Sequence, residues 1–227
     1  MKYYIDTEFH EYAKKPRFGK PINTIELISI GIVDEKDRKY YAICKDFDLK
    51  SAWRDEWLKE NVLKSIHKEL CAMVGTYGKT YYHGLFEPFT IKSMRNLLKW
   101  YGRSRHEIAT EVIKFTGAKY IATNSPEKGI DKTIDFYAYY ADYDWVVFCQ
   151  QLFGRMIDLP KGFPMYCRDL KQMLDEKAIS NIKSNQTIED KLLIYKLKKD
   201  YPKKENEHNA LADAEWNKEL DNFINSL

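Results

Sequence analysis

The chain has no run of about 18 apolar residues, the length a helix needs to cross a bilayer. Nothing in it is therefore expected to span a membrane. It also lacks the basic-then-apolar start of a signal peptide, because acidic residues arrive at Asp6 and Glu8. The expectation is a cytoplasmic protein. No Cys-x-x-Cys pair exists: Cys44, Cys71, Cys149 and Cys167 stand far apart. That spacing excludes a zinc knuckle or a disulfide frame and leaves four reduced, mostly buried small side chains. An excess of one charge is missing too. The 37 Lys and Arg nearly balance 34 Asp and Glu, for a net charge of +3. Overall electrostatics do not announce a nucleic-acid binder, although a local groove can be basic on a nearly neutral protein. There is no internal repeat and no low-complexity tract.

What is present belongs to a globular protein: 227 residues, 44% apolar and 31% charged, enough for one large domain or two small ones. The 17 tyrosines suit cores and interfaces, and also stacking on bases.

The stretch from Lys2 to Phe9 is apolar and aromatic around Asp6 and Glu8, and predicts a strand. Side chains alternate along a strand, so the two acids share a face about 7 Å apart. Carboxylates facing each other on a buried strand repel and lose hydration, and a divalent cation held by oxygens would compensate. Asp-x-Glu alone is short and common, and by itself better suits a frayed strand end in water.

Pro16, Gly19, Pro21 and Asn23 predict a loop over 10–23. Ile25–Val33 is almost continuously apolar, as in a buried central strand, and a polar turn at 34–38 leads to a third strand, Lys39–Cys44. Such short connections imply antiparallel pairing. Helical spacing marks 51–70, with Ser51 or Asp55 as caps, and again 90–101. Ser104 with Glu107 forms a capping-box pattern that opens a helix ending near Thr116. An irregular excursion is expected over 75–88, a short strand at 119–123 and a loop over 124–131. A strand at 134–140 then leads into a helix over 145–153, stopped by Gly154. Residues 165–174 read as strand into helix, and 187–199 as helix. The final amphipathic helix, 210–227, is capped by Asn209 and carries Leu220, Phe223 and Ile224 on one stripe. The order predicts an α/β protein: a mixed β-sheet, three antiparallel strands followed by parallel ones, with helices on both faces of a single domain spanning 1–227.

Asp142 and Asp144 fall at a strand-to-helix junction, where capping is sufficient explanation for Asp142. His208 lies just outside the last helix and Asp213 in its second turn. As a set, Asp6, Glu8, Asp144 and Asp213 supply four carboxylates, enough for two magnesium-class ions beside a phosphate.

This set resembles the DEDDh 3′–5′ exonucleases of the ribonuclease H-like superfamily. The likeness rests on Asp6-Thr7-Glu8 in the first strand, on Tyr143-Asp144 at a strand–helix junction, and on His208 four residues before Asp213. It spans nearly the whole chain. Phe9, Trp145-Val146 and the run Gln151-Leu152-Phe153-Gly154 make it similar to the bacterial ribonuclease AS type. Asp142 departs from the small residue usual at its position, and the segments near 75–100 and 186–205 look like insertions.

The resemblance implies a metal-dependent exoribonuclease that releases nucleoside 5′-monophosphates from the 3′ end of single-stranded RNA. DNA is the alternative substrate, as in proofreading enzymes. A binding module on the same fold without catalysis is a further alternative. The implied cofactors are two divalent cations, Mg2+ or Mn2+. Asp6 would bridge them, Glu8 and Asp213 would complete the site of the attacking water, and Asp144 would hold the second ion. His208 would be the general base, since a free imidazole titrates near pH ~6.5. Phe9 would touch the terminal base or simply sit in the core. Trp145 has the same two roles open to it, with the core preferred. A homodimer is implied as well. Two basic stretches could meet phosphates: Lys92, Arg95, Lys99, Arg103 and Arg105, and Lys196, Lys198, Lys199, Lys203 and Lys204.

Overall fold

The computed structural model describes residues 1–77, 88–118 and 133–227. The strand expected at 119–123, the loop at 124–131 and most of the excursion at 75–88 lie outside the described residues. Five strands form one mixed sheet in the order β3-β2-β1-β4-β5. They are β1 (Lys2–Lys14), β2 (Ile22–Asp34), β3 (Lys39–Ile43), β4 (Asp135–Ala138) and β5 (Arg168–Asp169). β1–β2–β3 pair antiparallel, while β1–β4 and β4–β5 pair parallel. This is the ribonuclease H-like arrangement the sequence predicts.

The loop expected over 10–23 is much shorter. β1 and β2 keep pairing out to Lys14 opposite Ile22, leaving only 15–21 as the turn. Pro16, Gly19 and Pro21 are confined to that turn, where no ladder donor is lost. The residues between, such as Tyr12 opposite Thr24, have nothing that forbids a ladder.

The first helices are α1 (Leu49–Ala52), capped by Asp48 rather than Ser51, and α2 (Glu56–Leu58), capped by Asp55 as expected. A π-helical turn, Lys59–Leu63, joins α2 to α3 (Lys64–Tyr77). The expected capping box forms, Ser104 with Glu107 opening α5 (Arg105–Thr116), and a further one, Thr90 with Ser93, opens α4 (Ile91–Tyr101). Helix α6 (Ala141–Phe148) begins four residues before the predicted start at Trp145 and passes through a π turn, Cys149–Phe153, to Gly154 at φ +88°. The remaining helices are α7 (Leu170–Ser180), α8 (Ile188–Lys196) and α9 (Ala210–Ser226).

The central sheet feeds three packed clusters. Tyr3, Ile5, Ile30 and Ile32 meet α5 and α6; Ile28 and Ile43 meet α1–α4; Tyr4 and Tyr137 meet α7–α9. Ile5, Ile28, Ile30 and Ile32 are wholly buried, each stabilising the fold by about 1.5–3 kcal/mol. Helix α9 is tied to β1 by polar bonds as well. Asn217 donates to the Ile5 carbonyl at 2.9 Å, Tyr4 Oη donates to Asp221 at 2.6 Å, and Lys2 pairs with Asp221 at 2.7 Å. Those bonds fix the helix that carries Asp213 against the strand that carries Asp6 and Glu8. Among the described residues no helix is long and apolar enough to cross a membrane, and the four cysteines are free.

Candidate active site

Asp6 and Glu8 project from the same face of β1, as strand alternation demands. Asp213, in the first turn of α9 and not the second as expected, comes down on that face. One oxygen from each of the three lies within 4.8 Å of the others. The approach depends on Gly31, which pairs with Asp6 across the β1–β2 ladder. The first turn of α9 lies directly over Gly31, with Ala210 and Leu211 in the space a side chain would need.

Asp144, on α6, stands near enough for its charge to bear on Asp6 but lies outside the three acids gathered within 4.8 Å. It is buried, and its Oδ1 accepts both the backbone N–H and the hydroxyl of Thr7, each at 2.7 Å. The residue between the two strand acids thus orients the fourth carboxylate. Asp142 is exposed in the first turn of the same helix, which separates the two acids cleanly. Tyr140, at φ +57°, holds the N-cap position without a side-chain hydrogen bond.

Crowding shows in the acidities. Burial, then the charges of Asp144, Asp213 and Glu8, holds the Asp6 carboxyl well above the usual carboxylate range. Burial, then Asp213 and Asp144, pushes Glu8 up to about 8. Burial raises Asp144 to about 7 against the opposing Thr7 bonds. Among the described residues one cation pairs with the cluster: Lys204 Nζ lies 2.8 Å from Asp213 Oδ1.

No protein-family model matches the chain. It is similar to two 3′–5′ exoribonucleases. These come from two strains of Mycobacterium tuberculosis, and each is 29% identical over 178 residues, covering 78% of this chain and 76% of the relative.

Around the carboxylates, His208 lies outside α9, with Asn209 as the N-cap. Its backbone N–H donates to Asp213 Oδ2 at 3.1 Å, and its φ of +66° turns the chain sharply there. Its ring meets the half-exposed Trp57 edge-on at 4.7 Å. Phe9 is partly buried and stacks nearly parallel to the exposed Tyr143, centroids 6.4 Å apart. Trp145 is buried in the core, stacked on Phe148 and tilted against Phe136, the role the sequence preferred for it.

The basic stretches divide. Arg103 pairs with Glu111, and Arg105 donates to Asp46. Lys198 lies over the Tyr195 and Phe223 rings, and Lys204 is committed to Asp213. Sequence reasoning missed Thr7, Gly31 and Trp57, whose roles arise from partners remote in the chain. The one local signal was Thr7 itself, a hydroxyl donor between two acids.

Proposed function

We propose that the protein is a metal-dependent 3′–5′ exoribonuclease of the DEDDh kind and the ribonuclease AS type. One observation carries the reading. Carboxylates from β1 and α9, far apart in sequence, converge within 4.8 Å in a chain similar to 3′–5′ exoribonucleases. The donor set is all oxygen and anionic, which fits hard divalent cations of the magnesium class. Asp6, Glu8 and Asp213 would hold one ion, and Asp144 would extend the set to a second. When bound, such ions polarise a phosphate and ease the deprotonation of water.

The chain's own groups do the rest. His208 takes the proton of the attacking water as the P–O3′ bond breaks. A nucleoside 5′-monophosphate leaves, and the shortened strand keeps a 3′-hydroxyl. The bond from the His208 N–H to Asp213 sets where the imidazole starts. Phe9 and Tyr143 offer flat faces to the terminal base. Trp145, buried as it is, supports the Asp144 helix from behind.

The test is incubation of 3′-labelled and 5′-labelled RNA, and matching DNA, with and without magnesium or manganese. Metal-dependent release of labelled mononucleotide from the 3′ end of RNA is expected. Endonucleolytic fragments, 5′ release or a preference for DNA would overturn the assignment.

A further inference from the structure

A groove of about 500 Å3 opens between β3, α1 and α4. Lys45, Lys50, Arg95 and Lys99 line it, with Asp48 as the sole acid among its lining residues. Asp48 is already engaged, since its carboxylate caps α1 by accepting from the Ser51 N–H at 3.0 Å. Lys45 pairs with Glu107 at 3.2 Å. Among the described residues, no acidic partner stands within ion-pair distance of Lys50, Arg95 or Lys99. Three cations gathered in one concave surface repel each other unless an anion enters.

The groove is built, not incidental. Gly102 ends α4 against β3: a side chain there would stand 2.6 Å from the Leu98 carbonyl and 2.9 Å from Lys45 Cβ. Reciprocal backbone bonds, Lys45 N–H to Arg103 O and Arg103 N–H to Ile43 O, both 2.8 Å, lock that approach. Lys45 and Lys99 both line the groove beside this junction. Arg95 and Lys99 lie one turn apart on α4, on the same exposed face.

The wall of the groove is tied to the strand that carries Asp6 and Glu8. Ser51 Oγ of α1 lies 3.0 Å from His10 Nε2, and His10 is two residues beyond Glu8 on β1. The backbone N–H of Asp48 donates to Glu26, which pairs with His10 in the ladder. Helix α1 thus bridges β1 and α4. Beside Lys99, Trp100 is 70% exposed, its ring centroid 5.7 Å from the ammonium. A cationic groove flanked by an exposed aromatic face suits a flexible strand whose phosphates and bases are both accessible.

We propose that this groove is the binding track for the single-stranded RNA upstream of the scissile bond, with Lys50, Arg95 and Lys99 on successive phosphates and Trp100 available to a base. The proposal rests on the exoribonuclease reading and adds to it a preference for longer strands.

The test uses the full chain with Arg95→Glu/Lys99→Glu, and Lys177→Glu/Lys183→Glu on the opposite edge of the sheet as the charge-matched control. The wild type is first checked for release of mononucleotide from RNA; failure there removes the exoribonuclease reading itself. Given activity, kcat/KM is compared for a ten-nucleotide RNA and a dinucleotide. The ratio of the two should fall at least tenfold in the groove variant and stay constant in the control. Anisotropy with the ten-nucleotide RNA should show Kd rising at least tenfold. Its dependence on log salt should flatten by about 1.4, at about 0.7 per phosphate contact on a single strand. An unchanged ratio and salt slope in an active enzyme overturn the track. So does a groove that binds polyglutamate while RNA binding ignores the substitutions.

Discussion

Gly31 lies directly beneath Ala210: a Cβ on the glycine would stand 2.2 Å from the Ala210 carbonyl oxygen and 2.5 Å from Leu211 Cα. Both neighbours are backbone and cannot rotate away. Because Gly31 is the ladder partner of Asp6, this close approach sets the height of α9 above the strand, and with it the distance from Asp213 to Asp6.

Gly31→Ala is therefore expected to lift the start of α9. Overpacking in a core costs about 1–3 kcal/mol, and a backbone obstacle favours the upper end. Thermal unfolding should show a clear drop in Tm, and calorimetric titration should show weaker magnesium or manganese binding. A variant with wild-type Tm and wild-type metal affinity would mean that the helix does not need the missing side chain.

The contrast with what local patterns convey is instructive. Alternation put Asp6 and Glu8 on one face, and the cap at Asn209 placed Asp213 in the second turn of its helix. Those are short-range rules. The strand rule holds and so does the Asn209 cap, but the helix starts at Ala210 and Asp213 falls in its first turn, not the second. The capping box at Ser104 was legible for the same reason; the box at Thr90 was not read, although the helix it opens was. The 10–23 segment was not, because turn residues show where a ladder must stop and not how far it runs beforehand. Thr7 on Asp144, Trp57 against His208 and Lys204 on Asp213 join residues that only the folded chain brings together. The resemblance supplied the grouping of four acids; spacing alone could not have chosen Asp144 over Asp142.

Stability should respond to pH and to divalent cations in linked fashion. Glu8 is pushed up to about 8 and Asp144 to about 7, and Asp6 is raised as well. A carboxyl raised on folding favours the folded state while protonated, and that advantage is lost as pH climbs through the folded value. With a chelator present, Tm should fall between about pH 5 and pH 8 by more than in an Asp6→Asn variant. Magnesium should restore it, most strongly at the alkaline end. A chelated protein with a flat profile across that window would contradict the crowding of these acids.

Lys204 softens the same repulsion, and Lys204→Met should expose how much. The methionine keeps an apolar side chain of similar length, but removes the charge from Asp213 and from the face of the Trp216 ring, 5.1 Å from the ammonium. In chelator at pH 8 the variant should melt below the wild type, and saturating magnesium should narrow the gap, since cations then balance the carboxylates in both proteins. Equal melting temperatures in chelator would show that the ion pair contributes nothing to the cluster, as many partly exposed pairs do not.

His208 provides the separation between holding the reaction and performing it. Its contact with Asp213 runs through the backbone N–H, and its ring rests on Trp57 rather than on a carboxylate. Removing the imidazole therefore leaves the acidic oxygens where they are. In His208→Ala, magnesium affinity should stay within about twofold of wild type. The loss of a general base should lower kcat by about 10²–10⁴-fold with little change in KM. The comparison is made by single-turnover cleavage of labelled RNA beside calorimetric titration of the metal on the same preparation. A kcat that survives the substitution would remove the histidine from the chemistry. A collapse of metal binding alongside kcat would instead make His208 a structural support for Asp213, acting through the turn it occupies at positive φ.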